Sequence, residues 1–262
     1  MNVENLRIYG RPPFSIAVIH GGPGAPGEMA PVARELSFNQ GVLEPLQTAG
    51  SLEGQVQELQ KILKKNGDLP FTLIGWSWGA VLGFILTARY SSLVKKLIIV
   101  GSGVFEKKYS LKITETRLNR LNGKDKREAG ELMESLSVSY TKDKDTLMCR
   151  LGELIYRADS YSPISYKSEV LECQYDVFKS VWKDAARLRD SGELLKLGNQ
   201  IKCPVVAIHG DYDPHPAKGV KEPLSGVLKD FHFILLEKCG HHPWVERFAR
   251  DNFYRVLREE LR

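Results

Sequence analysis

The sequence predicts an α/β fold, a mostly parallel central sheet flanked by helices, and three observations predict it. Six short apolar runs end in glycine or polar punctuation, as strands buried on both faces do: Phe14 to His20, Gly41 to Glu44, Phe71 to Gly75, Lys96 to Gly101, Pro204 to His209 and Phe231 to Leu236. Helical patterns alternate with these runs, which is the signature of βαβ units. The alternation stops once, from about Phe105 to Gln200, where the text is charge-rich and helix-like and offers no convincing strand.

Taken in order, the helices justify themselves by spacing and by their ends. Ser51 to Lys65 carries Leu52, Val56, Leu59, Ile62 and Leu63 at helical intervals, opens on a possible Ser51 N-cap and stops at Gly67. Trp78 to Tyr90 is apolar nearly all round, as a helix buried behind a sheet should be. The C-terminal helix is expected to open at Pro243, with Val245, Phe248, Ala249, Val256 and Leu257 on one face. Residues 1–104 and 201–262 therefore read as the sheet-bearing core, and 105–200 as a helical insertion between two of its strands.

Bulk properties narrow the function classes. The 262 residues are 42% hydrophobic, enough for one sizeable core, and 26% charged. The net charge of +5 is spread over short clusters such as Lys124 to Arg127, without the aromatic-interleaved basic stretch of a nucleic-acid binder. No run approaches the ~18 apolar residues of a membrane span. The opening MNVENLRIYGRPPF has neither a basic nor an apolar leader region, so a cytoplasmic protein is expected. Cys149, Cys173, Cys203 and Cys239 are scattered, with no CxxC pair and no ligand spacing to histidines, so neither a disulfide nor a metal is expected. No cofactor is implied, the partner expected is a small-molecule substrate, and oligomeric state is left open.

The strongest motif is Gly75-Trp76-Ser77-Trp78-Gly79, a G-x-S-x-G between the strand FTLIG and the helix WGAVLGFILTARY. So tight a turn lifts the Ser77 hydroxyl to the C-terminal edge of the sheet and leaves no room for side chains at Gly75 and Gly79. A serine needs a base, and the base an orienting acid. His241, directly after Gly240 in the loop following FHFILLEKCG, is preferred as base over His242, whose plainer reading is packing beside Pro243. The text GDYDPHP after VVAIHG supplies the acid: Asp213 is preferred, with Asp211 as the turn-forming neighbour that bonds local backbone. Backbone N–H groups for an oxyanion are expected from Trp78 and from Gly22 in His20-Gly21-Gly22-Pro23-Gly24, with Gly21 as the fallback. That loop lacks the Lys-Ser/Thr ending of a phosphate-binding P-loop.

On HGGPG, G-x-S-W-G, G-D-x-D and C-G-H-x-P-W, in that order, the chain resembles the α/β-hydrolase superfamily over nearly its whole length. Its motifs are most similar to the prolyl iminopeptidase branch. The resemblance implies a cofactor-free hydrolase with Ser77, Asp213 and His241 as triad and a helical cap, Phe105 to Gln200, inserted after the sixth strand. The chain departs from the branch in its short N-terminal stretch, little more than LRIYG, and in Trp76 where glycine is usual. The branch also uses acidic cap residues to hold a substrate amine; Glu131, Glu134, Glu153, Glu169 and Glu172 are available, none singled out by its surroundings. A serine hydrolase of a small ester, thioester or amide is the first expectation, with an ester preferred over prolyl aminopeptidase action. A small-molecule receptor on the same scaffold is the reading from another class, and a lyase or cofactor-free oxygenase a third.

Overall fold

Every apolar run anticipated above becomes a strand. The computed structural model describes residues 5–165 and 167–262. Its elements run β1 (Leu6–Tyr9), β2 (Phe14–Ile19), α1 (Ala30–Leu36), β3 (Gly41–Pro45), α2 (Leu52–Asn66), β4 (Phe71–Trp76), α3 (Trp78–Arg89) and β5 (Val94–Val100). There follow α4 (Lys107–Ser110), α5 (Ile113–Arg120), α6 (Gly123–Ser137), α7 (Lys144–Asp159), α8 (Tyr175–Asp190) and α9 (Glu193–Lys196). The sheet then resumes with β6 (Val205–Gly210), α10 (Lys218–Ser225), β7 (Phe231–Leu236) and α11 (Arg250–Glu260).

The strands form one sheet in the order β1-β3-β2-β4-β5-β6-β7, parallel except where β1 lies antiparallel to β3. Side chains alternate faces. Ala17, Ile19, Leu73, Leu97, Ile99 and Val205 meet α2 and α3, whereas Ile16, Val18, Ile74, Ile98, Val100 and Val206 meet α1 and α11. With both faces covered, the strands read as unbroken apolar text. Strand order reverses between β2 and β4, and the register pairing Ile19 with Gly75 sets the HGGPG loop and the serine turn side by side at the carboxyl edge. A crevice at such a switch point is where open α/β sheets hold ligands.

The Ser51 hydroxyl caps α2, accepting from the Gly54 N–H at 3.1 Å. Helix α3 is buried along its whole length except at Arg89. Residues 105–200 carry α4 to α9 and, among the described residues, no strand. They have a small core of their own around Ala129, Leu132 and Leu154, while Val181 and Ala185 of α8 join the main core. No helix among the described residues is long and apolar enough to cross a membrane.

Three expectations need correction. The helical segment leaves the sheet after the fifth strand rather than the sixth, because the described N-terminal residues supply a single strand ahead of Phe14. The C-terminal helix starts at Arg250, not Pro243: Pro243–Val245 forms one 3-10 turn, and Phe248 is 57% exposed instead of facing the core. Cys149 on α7 and Cys173 just before α8 form a disulfide, since the two helices fold back on each other and bring the Cα atoms within 5.7 Å. Cys203 and Cys239 are free thiols.

Candidate active site

Ser77 sits between β4 and α3 with φ 53° and ψ −114°, a backbone region that side-chain-bearing residues rarely occupy. The turn is held by packing too close for anything but glycine. A Cβ at Gly75 would lie 2.2 Å from the Gly79 carbonyl oxygen, and one at Gly79 would lie 2.2 Å from that of Ile19. At the neighbouring loop a Cβ on Gly21 would meet the Trp76 ring at 2.3 Å and Ser77 Cβ at 3.0 Å, so HGGPG lies directly against the serine. Trp78 is the first residue of α3, and its N–H has no acceptor within the helix. Gly22 turns the opposing loop at φ 37°.

Three residues distant in sequence meet here. His241 Nε2 is 3.0 Å from Ser77 Oγ, and His241 Nδ1 is 2.7 Å from Asp213 Oδ2. Because a carboxylate can only accept, Nδ1 carries the ring proton and Nε2 is left to accept from the serine hydroxyl. Burial disfavours an imidazolium at His241, yet Asp213 outweighs it and holds the ring above its ordinary 6.5. Burial likewise opposes the charge on Asp213, but the imidazoles of His241, His209 and His215 hold it well below the usual carboxylate range. Asp211, expected to bond local backbone, instead accepts at 3.0 Å from the N–H of Cys239 and so ties the acid loop to the histidine loop.

Several residues make contacts that the sequence does not reveal. His215 donates to Asp213 Oδ1 from both its backbone N–H (2.8 Å) and its ring Nδ1 (2.9 Å), and burial lowers it to about 4. The Trp76 indole donates to the His241 carbonyl at 2.8 Å, which gives the unusual residue of the elbow a physical role. The His241 N–H donates to the Asp159 carbonyl at 2.8 Å, and the Asp159 carboxylate is gripped by Arg117 of α5. Glu246, fully buried, accepts from the N–H groups of Gly240, Tyr161 and Ser162 at 2.9, 2.7 and 2.8 Å. The DxH spacing of Asp213 and His215 is visible in the sequence; apart from the bond between Gly240 and Glu246, the rest join segments tens of residues apart.

His20 is neutral, lowered to about 4 by burial; its Nδ1 donates to the Gly21 carbonyl and its Nε2 accepts from Gln47 N–H. His242 is also buried, against Trp76, Tyr156 and Trp244, and burial pushes it well below 6.5. Glu28 approaches His242 Nε2 at 4.0 Å, and burial raises its carboxyl to about 7 against the pull of His241. The acids available in the insertion are not brought into this cluster. Glu131, Glu134, Glu153 and Glu172 are exposed, and Glu169 pairs with Arg34. Among the described residues one group has metal-ligand spacing, Asp213, His215 and His241, with ligand atoms within 4.8 Å of one another. Both imidazoles spend Nδ1 on Asp213, so an ion there would have to break the bonds that orient His241.

The model of the alpha/beta hydrolase fold family matches residues 16–248. A pimeloyl-[acyl-carrier protein] methyl ester esterase of Neisseria meningitidis serogroup A is 25% identical over 204 residues, which are 73% of this chain and 60% of that protein's length. Among solved structures, VinJ superposes with a TM-score of 0.68 at 17% identity, covering 98% of this chain and 93% of VinJ. The proline iminopeptidase of Mycobacterium smegmatis gives 0.63 at 17% identity with the same coverage.

Proposed function

Because this chain belongs to the α/β-hydrolase fold family, we propose that it is a serine hydrolase that cleaves a small ester, thioester or amide through an acyl-enzyme on Ser77. The observation that carries the reading is the unbroken chain of contacts from Ser77 Oγ through His241 to Asp213, at 3.0 and 2.7 Å. His241 Nε2 takes the Ser77 proton as Oγ attacks the substrate carbonyl carbon. The negative oxygen that forms is met by the N–H groups of Trp78 and Gly22, and the imidazolium by Asp213. His241 then returns the proton to the leaving alcohol, thiol or amine. A water, deprotonated by the same nitrogen, releases the acid and restores Ser77. Residues 105–200 act as the cap over this chemistry.

An ester is the preferred substrate class. The acids Glu131, Glu134 and Glu172 are exposed, and Glu153 and Glu169 are paired with Arg150 and Arg34, so none is poised for a substrate ammonium. The esterase name of the Neisseria relative points the same way. The alternative, prolyl aminopeptidase action, rests on HGGPG and on the iminopeptidase among the structural neighbours.

A fluorophosphonate probe tests the reading. The wild type should be labelled at Ser77 and hydrolyse p-nitrophenyl butyrate, and Ser77→Ala should do neither while remaining folded by circular dichroism. Labelling at another serine would sink the assignment. Rapid proline-arylamide cleavage with negligible ester turnover would favour the aminopeptidase instead.

A further inference from the structure

The Asp213 carboxylate is fully buried, so bulk water cannot orient it. Its Oδ2 accepts from His241 Nδ1 at 2.7 Å. Its Oδ1 accepts twice from one residue, from the His215 N–H at 2.8 Å and from the His215 ring at 2.9 Å. A carboxylate held at Oδ1 by one donor can still turn about its Cβ–Cγ bond. Two donors on that oxygen fix its plane.

The loop that carries these donors is stiff. In Asp213-Pro214-His215-Pro216 each proline fixes its own φ and restricts the residue before it, here Asp213 and His215. The His209 ring of β6 donates from Nε2 to the His215 carbonyl at 2.7 Å. On the other side, a Cβ on Gly101 would stand 3.2 Å from His241 Nδ1 and 3.3 Å from Asp213 Oδ2, so the loop after β5 closes over the pair.

An uncharged donor suits this place. Burial lowers the His215 ring to about 4, so near neutral pH it donates a proton without bringing a charge. A cation there would compete for Asp213 with the imidazolium that forms on His241 during the reaction. The two rings lie 4.8 Å apart between centroids, close enough for a second imidazolium to oppose the first.

We propose that His215 is a positioning residue of the reaction, whose ring and backbone N–H groups together turn the Asp213 carboxylate so that Oδ2 faces His241 Nδ1. The inference rests on the serine-hydrolase reading above. His241 is also faced by Arg117 of α5, by Asp159 at the end of α7, by Glu28 from the loop after β2 and by His242. His209 stands 3.6 Å from Asp213 Oδ2. All of these stay in place in the variants below.

The test follows the rate of fluorophosphonate labelling at Ser77 against pH, which needs no knowledge of the substrate. His215→Leu keeps the backbone donor and loses the ring donor. Its labelling at the optimum should slow by about ten- to a hundredfold, the range of one hydrogen bond to a charged group. With one donor gone, more of the Asp213 charge acts on His241, so the acid limb should move to higher pH. His215→Asn sets an amide N–H where Nδ1 stood and should return the rate to within about threefold of wild type, with the limb restored. The inference is overturned if His215→Leu labels at the wild-type rate, if its limb does not move, or if His215→Asn is as slow as His215→Leu. Should the Leu variant fail to fold, the wild-type tautomer decides. Nitrogen NMR near neutral pH should find the His215 proton on Nδ1, and a proton on Nε2 overturns the inference. In each of these cases a wild type labelled at Ser77 leaves the hydrolase reading standing. If Ser77 is not labelled, both fall.

Discussion

Asp211 and Asp213 are two residues apart on one loop, and their side chains point at different partners. Asp213 bonds the His241 ring, whereas Asp211 bonds the backbone of Cys239. Asp213→Asn should therefore lower kcat by a factor approaching ~10⁴, because the amide can present an N–H to Nδ1 and favour the wrong tautomer. Asp211→Asn keeps an acceptor for the Cys239 N–H and should lose no more than about tenfold, in the range of one weakened hydrogen bond. Equal losses, or the reverse order, would show the wrong carboxylate was chosen. The pH profile of kcat/KM supplies a second readout. Protonated His241 cannot act as a base, and Asp213 raises that ring above 6.5, so the acid limb of the wild type should be centred above 6.5. Removing the carboxylate charge should move the limb down. The sequence made the Ser, Asp and His positions legible because each follows a strand end in fixed order. It did not reveal what His215, Trp76 and Asp211 bond: His215 faces its own loop, whereas the Trp76 and Asp211 contacts exist only once β4 and the loops after β6 and β7 converge.

At the scale of elements, legibility tracked burial. Strands β2 to β7 could be read from the sequence as continuous apolar runs. The antiparallel edge was harder, and it holds a buried acid that periodicity does not reveal. Glu44 of β3 is fully buried; its Oε2 accepts from Tyr9 of β1 at 2.7 Å and from Arg7 at 3.4 Å, and burial raises its carboxyl to about 7. The folded value lies above the ordinary 4.5, so its contribution to stability is fully present below about 4.5 and fades as pH rises through about 7. At 1.36 kcal/mol per unit the change amounts to roughly 3 kcal/mol at most. Glu44→Gln keeps an acceptor for Tyr9 without a charge to bury. Urea denaturation at pH 5 and pH 8 should show the variant gaining on the wild type at the higher pH; a wild-type-minus-variant difference independent of pH would refute this. The C-terminal helix shows the opposite failure: Pro243 opened a turn rather than the helix, and an apolar pattern that starts at Val245 cannot register that the chain bends at Glu246 first.

For the molecule as a whole, the sequence leads one to expect an insertion at 105–200, which has no strand among its described residues, but not how that stretch is fastened to the sheet-bearing part. The fastening lies at the histidine loop. Pro163 bridges Glu246, Ile164 N–H donates to the Val245 carbonyl, and Arg247 N–H donates to that of Ser162. The Glu246 carboxylate sits at the centre of this seam, accepting from Gly240 on one side and from Tyr161 and Ser162 on the other. Three backbone N–H groups converge on two carboxylate oxygens, a demand only an acceptor at both positions can meet. Glu246→Gln turns one acceptor into an NH₂ facing an N–H. It should destabilise the protein by roughly 2–4 kcal/mol, the range for losing a charged acceptor and stranding buried donors. Because Gly240 precedes His241, the loss should reach the chemistry as well. At a temperature where the variant is still folded, fluorophosphonate labelling of Ser77 should slow by more than the folded fraction explains, since that rate depends on the distance from His241 to Ser77. Glu246→Asp, which keeps both acceptors on a shorter stem, should recover part of the rate. If Glu246→Gln lowers the melting temperature but labels at the wild-type rate, the seam is a structural fastening alone and His241 is held by Trp76 and Asp159.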